Sequence, residues 1–235
     1  MKLTGATIPD DVVQRVSERR GTAHPFAELD PVRTALVVID MQHAFMNDAA
    51  GHAVCPAAHD IVPAINRLAA AVRLGGVGVF WVRMTHDDRC LDEWSVAFET
   101  ATPAARAKRI AALTAGSLGH SLWPDLDLKP EDEIVDKYRF SGFLPGTSEL
   151  PNRLRARGFD TVLITGTVTN VCCESSARDA MMTNFKTVMV SDGNAAMTQA
   201  EHDAALTAFY NIFGDVMDTD MLVGALEPKR AAAAE

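Results

Sequence analysis

Hydrophobic residues in this chain fall into short continuous runs separated by stretches of helical periodicity. The run Thr34-Ala-Leu-Val-Val-Ile-Asp40 is apolar at almost every position and ends on an acid. Such a run suits a parallel strand covered on both faces, where neither face needs to be polar. Val77–Arg83, Asp160–Thr165 and Lys186–Ser191 read as further strands, Glu133–Asp136 as a short one, and Val216-Met217 can supply a last short strand. Between them, residues 57–74 carry Ile61, Ile65, Leu68, Ala69 and Val72 on one helical face and stop at Gly75-Gly76. Residues 147–157, Val171–Asn184 and Gln199–Phe213 read as further helices. Strands alternating with helices predict an α/β fold: a mainly parallel sheet with helices on both faces.

Two stretches fall outside this alternation. Residues 1–30 form an N-terminal extension, with a short helix within Ile8–Arg20 opened by Pro9-Asp10-Asp11. Residues 84–130 are long and irregular, with short helices around Asp92–Thr100 and Pro103–Leu113, a pattern that fits a binding or lid region. Residues 31–225 then form one domain, followed by a tail, 226–235, in which Ala231–Ala234 fray.

Composition narrows the class. With 48% hydrophobic residues the chain can bury a sizeable core, and a net charge of -9 argues against a nucleic-acid partner. No apolar run approaches the roughly 18 residues of a membrane span. Residues 1–20 are too polar for a signal peptide. The four cysteines form no CxxC pair and no zinc-finger spacing. The chain therefore reads as a cytoplasmic protein with reduced thiols, needing neither metal nor cofactor.

Open α/β sheets bind ligands outside the carboxyl ends of their strands. Asp40 closes the first of these strands, Lys137 follows Glu133–Asp136, and Cys172 opens the helix after Asp160–Thr165. A thiol at a helix N-terminus is favoured as thiolate by the dipole. An acid could take its proton, and an ammonium could stabilise it. Backbone N–H groups in the turn before Cys172, with its own, could receive an oxyanion. Each residue alone has a plainer reading: Asp40 as a cap or turn former, Lys137 as a surface charge, Cys172 as a small core residue.

The segments Ala35–Phe45, Asp136–Phe143 and Thr165–Asp179 together resemble the isochorismatase-like cysteine hydrolases, in the family's order. That resemblance implies a Rossmann-like three-layer sandwich and an Asp–Lys–Cys triad on Asp40, Lys137 and Cys172. It also implies a non-proline cis peptide between Thr167 and Val168, aiming the Val168 and Cys172 N–H groups at an oxyanion, with Cys173 left to packing. Cys172 points away from true isochorismatases, which lack it. The nicotinamidase Asp-x-His metal pattern is missing from Met84-Thr-His-Asp-Asp-Arg89, where His86 is either a pocket or a solvated loop residue.

Tyr138–Phe143 and Thr169–Ala180 look most like ureidoacrylate and N-carbamoyl-type amidohydrolases. The expected activity is metal-independent cleavage of a C–N bond in a small amide, ureido or N-carbamoyl compound through a thioester. The alternatives are another small substrate on the same triad (a nicotinamide-like amide, ester or lactam) and an idle assembly subunit. Family members are commonly dimers or tetramers, so a homo-oligomer is expected. Candidate pocket walls are Phe45, Trp81, Trp94, Phe140 and Phe143, with Arg83 or Arg139 holding a substrate carboxylate. Gln42 lies close to Asp40 in sequence, and Glu174 and Arg178 are spaced to pair with each other.

Overall fold

The computed structural model describes residues 1–76 and 78–227. Six parallel strands form the central sheet: β3 (Thr34–Ile39), β4 (Val79–Met84), β5 (Glu133–Lys137), β6 (Thr161–Thr167), β7 (Lys186–Ala195) and β8 (Asp215–Met217). Their spatial order is β5-β4-β3-β6-β7-β8. The chain adds strands on one side of β3 and then returns to β3's other side for β6. That reversal opens a crevice where β3 and β6 end, the place where such sheets bind ligands.

Side-chain alternation along the strands separates two cores. Ala35, Val37, Ile39, Phe80, Val82, Val162 and Ile164 face one layer, while Leu36, Val38, Val79, Trp81 and Leu163 face the other. The first layer is built from α1 (Asp10–Arg20), α7 (Leu150–Ala156), α8 (Glu174–Met182) and α9 (Gln199–Ile212). The second is built from α3 (Val62–Leu74) and α10 (Thr219–Leu226). Helices therefore cover both faces in three layers, as the continuous apolar runs required.

Several boundaries differ from the sequence reading. The helix expected over 57–74 begins only at Val62, because Pro56 first directs a 3₁₀ turn, Pro56–Ala58, and Pro63 opens the α-helix. The helix expected over 147–157 likewise starts at Leu150, with Pro151 in its first turn. Strand β7 runs four residues past Ser191, with a shift in its pairing to β6. Residues 1–30 pack as part of the domain. A small hairpin, β1 (Lys2–Leu3) and β2 (Ala6–Thr7), precedes α1, and Ile8, Val12 and Val16 join the first core. A short helix, α2 (His43–Met46), follows β3, and within the irregular region α4 (Arg89–Glu93), α5 (Val96–Glu99) and α6 (Pro103–Leu113) form three more. Val77 and most of the tail, including Ala231–Ala234, lie outside the described residues. No described helix is long and apolar enough to cross a membrane.

Candidate active site

The end of β3 and the end of β6 are brought together by a close backbone approach. Gly166 has a φ of 117°, and a Cβ there would occupy the space of the Ile39 carbonyl. Only glycine permits that contact. Just beyond, Thr167 Oγ1 donates to the Asp40 carbonyl at 2.9 Å, and Asp40 itself adopts a φ of 54°. The Thr167–Val168 peptide is cis.

Lys137 reaches this point from β5, two strands away. Neighbouring strands lie about 4.8 Å apart, so only a long side chain crosses β4. Its path runs past Met84, whose Sδ is 3.4 Å from Nζ, and ends 2.8 Å from Asp40 Oδ2. Nζ also donates to the Arg139 carbonyl at 3.2 Å. Lys137 and Asp40 are both fully buried.

Cys172 is the third member of the group, and its local structure differs from the expectation. The residue sits in a π turn, Thr169–Cys173, one turn ahead of α8. The Val168 carbonyl accepts from both Val171 N at 3.0 Å and Cys173 N at 3.3 Å, which widens that turn. The thiol lies within hydrogen-bonding influence of both Asp40 and Lys137. Burial pushes its pKa up to about 12, against the pull of the Lys137 ammonium. The resting group is therefore a neutral thiol, because desolvation outweighs the favourable fields that the sequence suggested. Burial likewise raises Asp40, opposed by Lys137. Burial works to lower Lys137, but the charges of Asp40 and Cys172 outweigh it and its pKa is raised. Cys173 points into the first core, with Sγ 3.9 Å from the Thr165 carbonyl.

A cavity of about 280 Å³ opens over Cys172. Val168, Cys172, Phe45 and Phe140 border it, together with Met84, Leu113, Val171 and Met197. Its polar lining comes from His52, Arg109, Asn170 and Glu201. A second cavity, about 330 Å³, lies beneath the β1–β2 hairpin and holds no cysteine.

Five proposed contact residues do not reach the cavity over Cys172. Trp81 points into the α3/α10 layer, where its Nε1 donates to Asp132 at 2.9 Å, because alternation along β4 puts it on the opposite face from Val82. Phe143 is fully buried in the first core against Phe185. Arg139 stacks over Trp94 and donates to the Glu93 carbonyl at 3.3 Å, and Arg83 pairs with Asp136 at 2.9 Å. Trp94 stands behind the wall, its ring 4.8 Å from that of Phe140. Gln42 clamps β4 to the following loop, accepting from Met84 N and donating to the Met84 and His120 carbonyls. Glu174 and Arg178 pair at 2.5 Å.

Sequence reasoning missed Arg109 and His52. Helix α6 holds Arg106, Lys108 and Arg109 with no acid, and that imbalance was the legible signal. It also missed His202, whose Nδ1 lies 2.8 Å from Thr169 Oγ1 and whose Nε2 lies 3.0 Å from the Ser191 carbonyl, anchoring the π turn. His86 is buried and receives the Arg109 Nε–H at 3.2 Å. Among the described residues, no group of three or more His, Cys, Asp or Glu side chains is placed to hold a metal ion.

Residues 34–221 match the model of the isochorismatase domain. The chain belongs to the isochorismatase family. It is 33% identical over 223 residues to a ureidoacrylate amidohydrolase of Methylobacterium radiotolerans, covering 87% of this chain and 84% of that one. A cysteine hydrolase from Pseudomonas syringae superposes with a TM-score of 0.73 at 30% identity, covering 85% of this chain and 94% of the other. N-carbamoylsarcosine amidase from Thermoplasma acidophilum gives a TM-score of 0.62 at 25% identity, with coverages of 80% and 97%. The protein is thus an isochorismatase-like hydrolase.

Proposed function

We propose that this protein is a cysteine amidohydrolase that cleaves a C–N bond of a small ureido, N-carbamoyl or simple amide compound. The observation that carries this reading is the buried Lys137–Asp40 pair, 2.8 Å apart, beside a buried thiol that lines a mainly apolar cavity. Relatives named for ureidoacrylate and N-carbamoylsarcosine support the same bond type.

The chemistry follows from the protonation states. A thiol held up to about 12 is not a standing nucleophile, so its proton must leave as it attacks. Asp40 is the base within reach, and Lys137 keeps it ionised in a dry site. Sγ bonds to the carbonyl carbon, the thiol proton passes to Asp40, and the oxygen becomes an oxyanion facing the Val168 and Cys172 N–H groups. Collapse breaks the C–N bond, and Asp40 returns the proton to the departing nitrogen. Water then attacks the thioester (a thiocarbamate for a ureido substrate). Asp40 takes the water proton and hands it to the leaving sulfur.

Ammonia release should be screened over small amides, ureido acids and N-carbamoyl amino acids. Turnover of one class by the native protein and its loss in Cys172→Ala is the expected result. Equal turnover by both proteins would remove the proposal.

A further inference from the structure

Arg109 is a half-buried cation at the cavity over Cys172 that has no acid of its own. Its Nε–H goes to His86 Nε2 at 3.2 Å and its Nη1 to the Ala97 carbonyl at 3.3 Å. Among the described residues Nη2 has no hydrogen-bond partner, and no carboxylate pairs with the guanidinium. The rings of Phe98, Trp94 and Phe140 stand 4.9, 5.1 and 5.6 Å from its central carbon. Aromatic faces hold a cation in place but leave its charge uncancelled. Glu201, the acid at the cavity rim, is exposed and already accepts the Thr198 hydroxyl at 2.8 Å.

His86 makes this arrangement a built one. To accept from Arg109 its Nε2 must be unprotonated, so the proton sits on Nδ1, which is buried without a partner. Burial and the adjacent guanidinium bring the His86 pKa to about 3, and the His52 pKa to about 4. The two rings beside Arg109 are therefore neutral at physiological pH, and Arg109 remains the positive charge of the outer cavity. A partly desolvated guanidinium with a free edge is suited to a bidentate carboxylate.

We propose that Arg109, oriented by His86, binds the carboxylate of the substrate and so selects short ureido or N-carbamoyl acids over their neutral counterparts. This inference rests on the amidohydrolase reading for the identity of the reacting end, and on Arg109 alone for the carboxylate.

Calorimetry on Cys172→Ala separates the two, since binding needs no chemistry. The probes are 3-ureidopropanoate and the neutral N-propylurea. The acid should bind at least tenfold more tightly. Adding Arg109→Met should weaken the acid ten- to a hundredfold and change the neutral urea by less than threefold, with Arg109→Lys intermediate. Adding His86→Phe should weaken the acid severalfold, because the guanidinium loses its acceptor. An unchanged acid-to-neutral ratio in both Arg109 variants, or no detectable binding of the acid, would overturn the proposal. Tight, Arg109-dependent binding of the acid without ammonia release by the native enzyme would instead count against the hydrolase reading and leave Arg109's role standing.

Discussion

Lys137 Nζ stands 2.8 Å from Asp40 Oδ2, and neither side chain has exposed surface. A buried pair is costly to break, because the remaining charge has no solvent. Lys137→Met should therefore destabilise the protein by about 3–5 kcal/mol. The double variant Asp40→Asn with Lys137→Met should recover part of that loss, because no charge is left stranded. Urea denaturation of the native protein, the two single variants and the double variant measures it; additive losses would show that the two side chains are not coupled.

Asp40 as base also sets the acid limit of activity. Burial raises its pKa above the ordinary 3.8. The base works only when ionised, so kcat/KM should fall with unit slope as pH drops through that raised value. A pH profile flat down to the ordinary carboxylate range would contradict the assignment.

Gly166→Ala tests how the site is positioned. The new methyl group would meet the Ile39 carbonyl, at a φ of 117° that alanine rarely adopts. We expect about 3 kcal/mol or more of lost stability, with loss of activity in whatever folds. Thermal denaturation gives the answer, and a variant as stable and active as the native protein would show that β3 and β6 need not approach so closely.

Stability should also depend on His86 and His52. Their pKa values fall from 6.5 to about 3 and about 4 on folding. Above pH 6.5 both are neutral folded or unfolded, and their full contribution is present. As pH falls below 6.5 the unfolded chain binds protons that the native state refuses, so stability declines toward pH 3–4. Urea midpoints between pH 7 and pH 4.5 should drop more steeply in the native protein than in His86→Phe.

Asp132 provides a contrast remote from the cavity over Cys172. It accepts from Arg73 at 2.6 Å, Trp81 at 2.9 Å and the Lys129 N–H at 2.9 Å. Asp132→Ala should cost about 3–5 kcal/mol of stability and leave kcat/KM of the folded protein unchanged. A large loss of kcat/KM at a temperature where the variant is folded would mean that this network reaches the site.

The fold was legible because the central strands β3, β4, β6 and β7 are buried on both faces, as a parallel sheet between two helical layers requires. Two helix starts were misplaced where proline shaped the approach to the helix, at Pro56 and Pro63 and at Pro151. Asp40, Lys137 and Cys172 stand at or beyond strand carboxyl ends, but position alone left each a plainer reading, and it was the resemblance to the isochorismatase-like hydrolases that set them apart. The pocket walls were not legible. Whether an aromatic residue faces core or cavity depends on register, which sent Trp81 into the α3/α10 layer. Arg109 escaped notice because α6 lies in an irregular region whose packing no periodicity reports. The burial that raises the Cys172 pKa was not legible either, because a helix dipole can be read from sequence and the depth of burial cannot.

The central claim is that Cys172 carries the acyl group. Native protein, Cys172→Ala and Cys173→Ala should be mixed with a turned-over substrate, quenched in acid within one turnover and weighed by intact-protein mass spectrometry. The account predicts an acyl or carbamoyl adduct on the native and Cys173→Ala proteins, fragmentation placing it on Cys172, and neither adduct nor turnover in Cys172→Ala. Turnover by Cys172→Ala at the native rate, or an adduct mapped to Cys173, would contradict it.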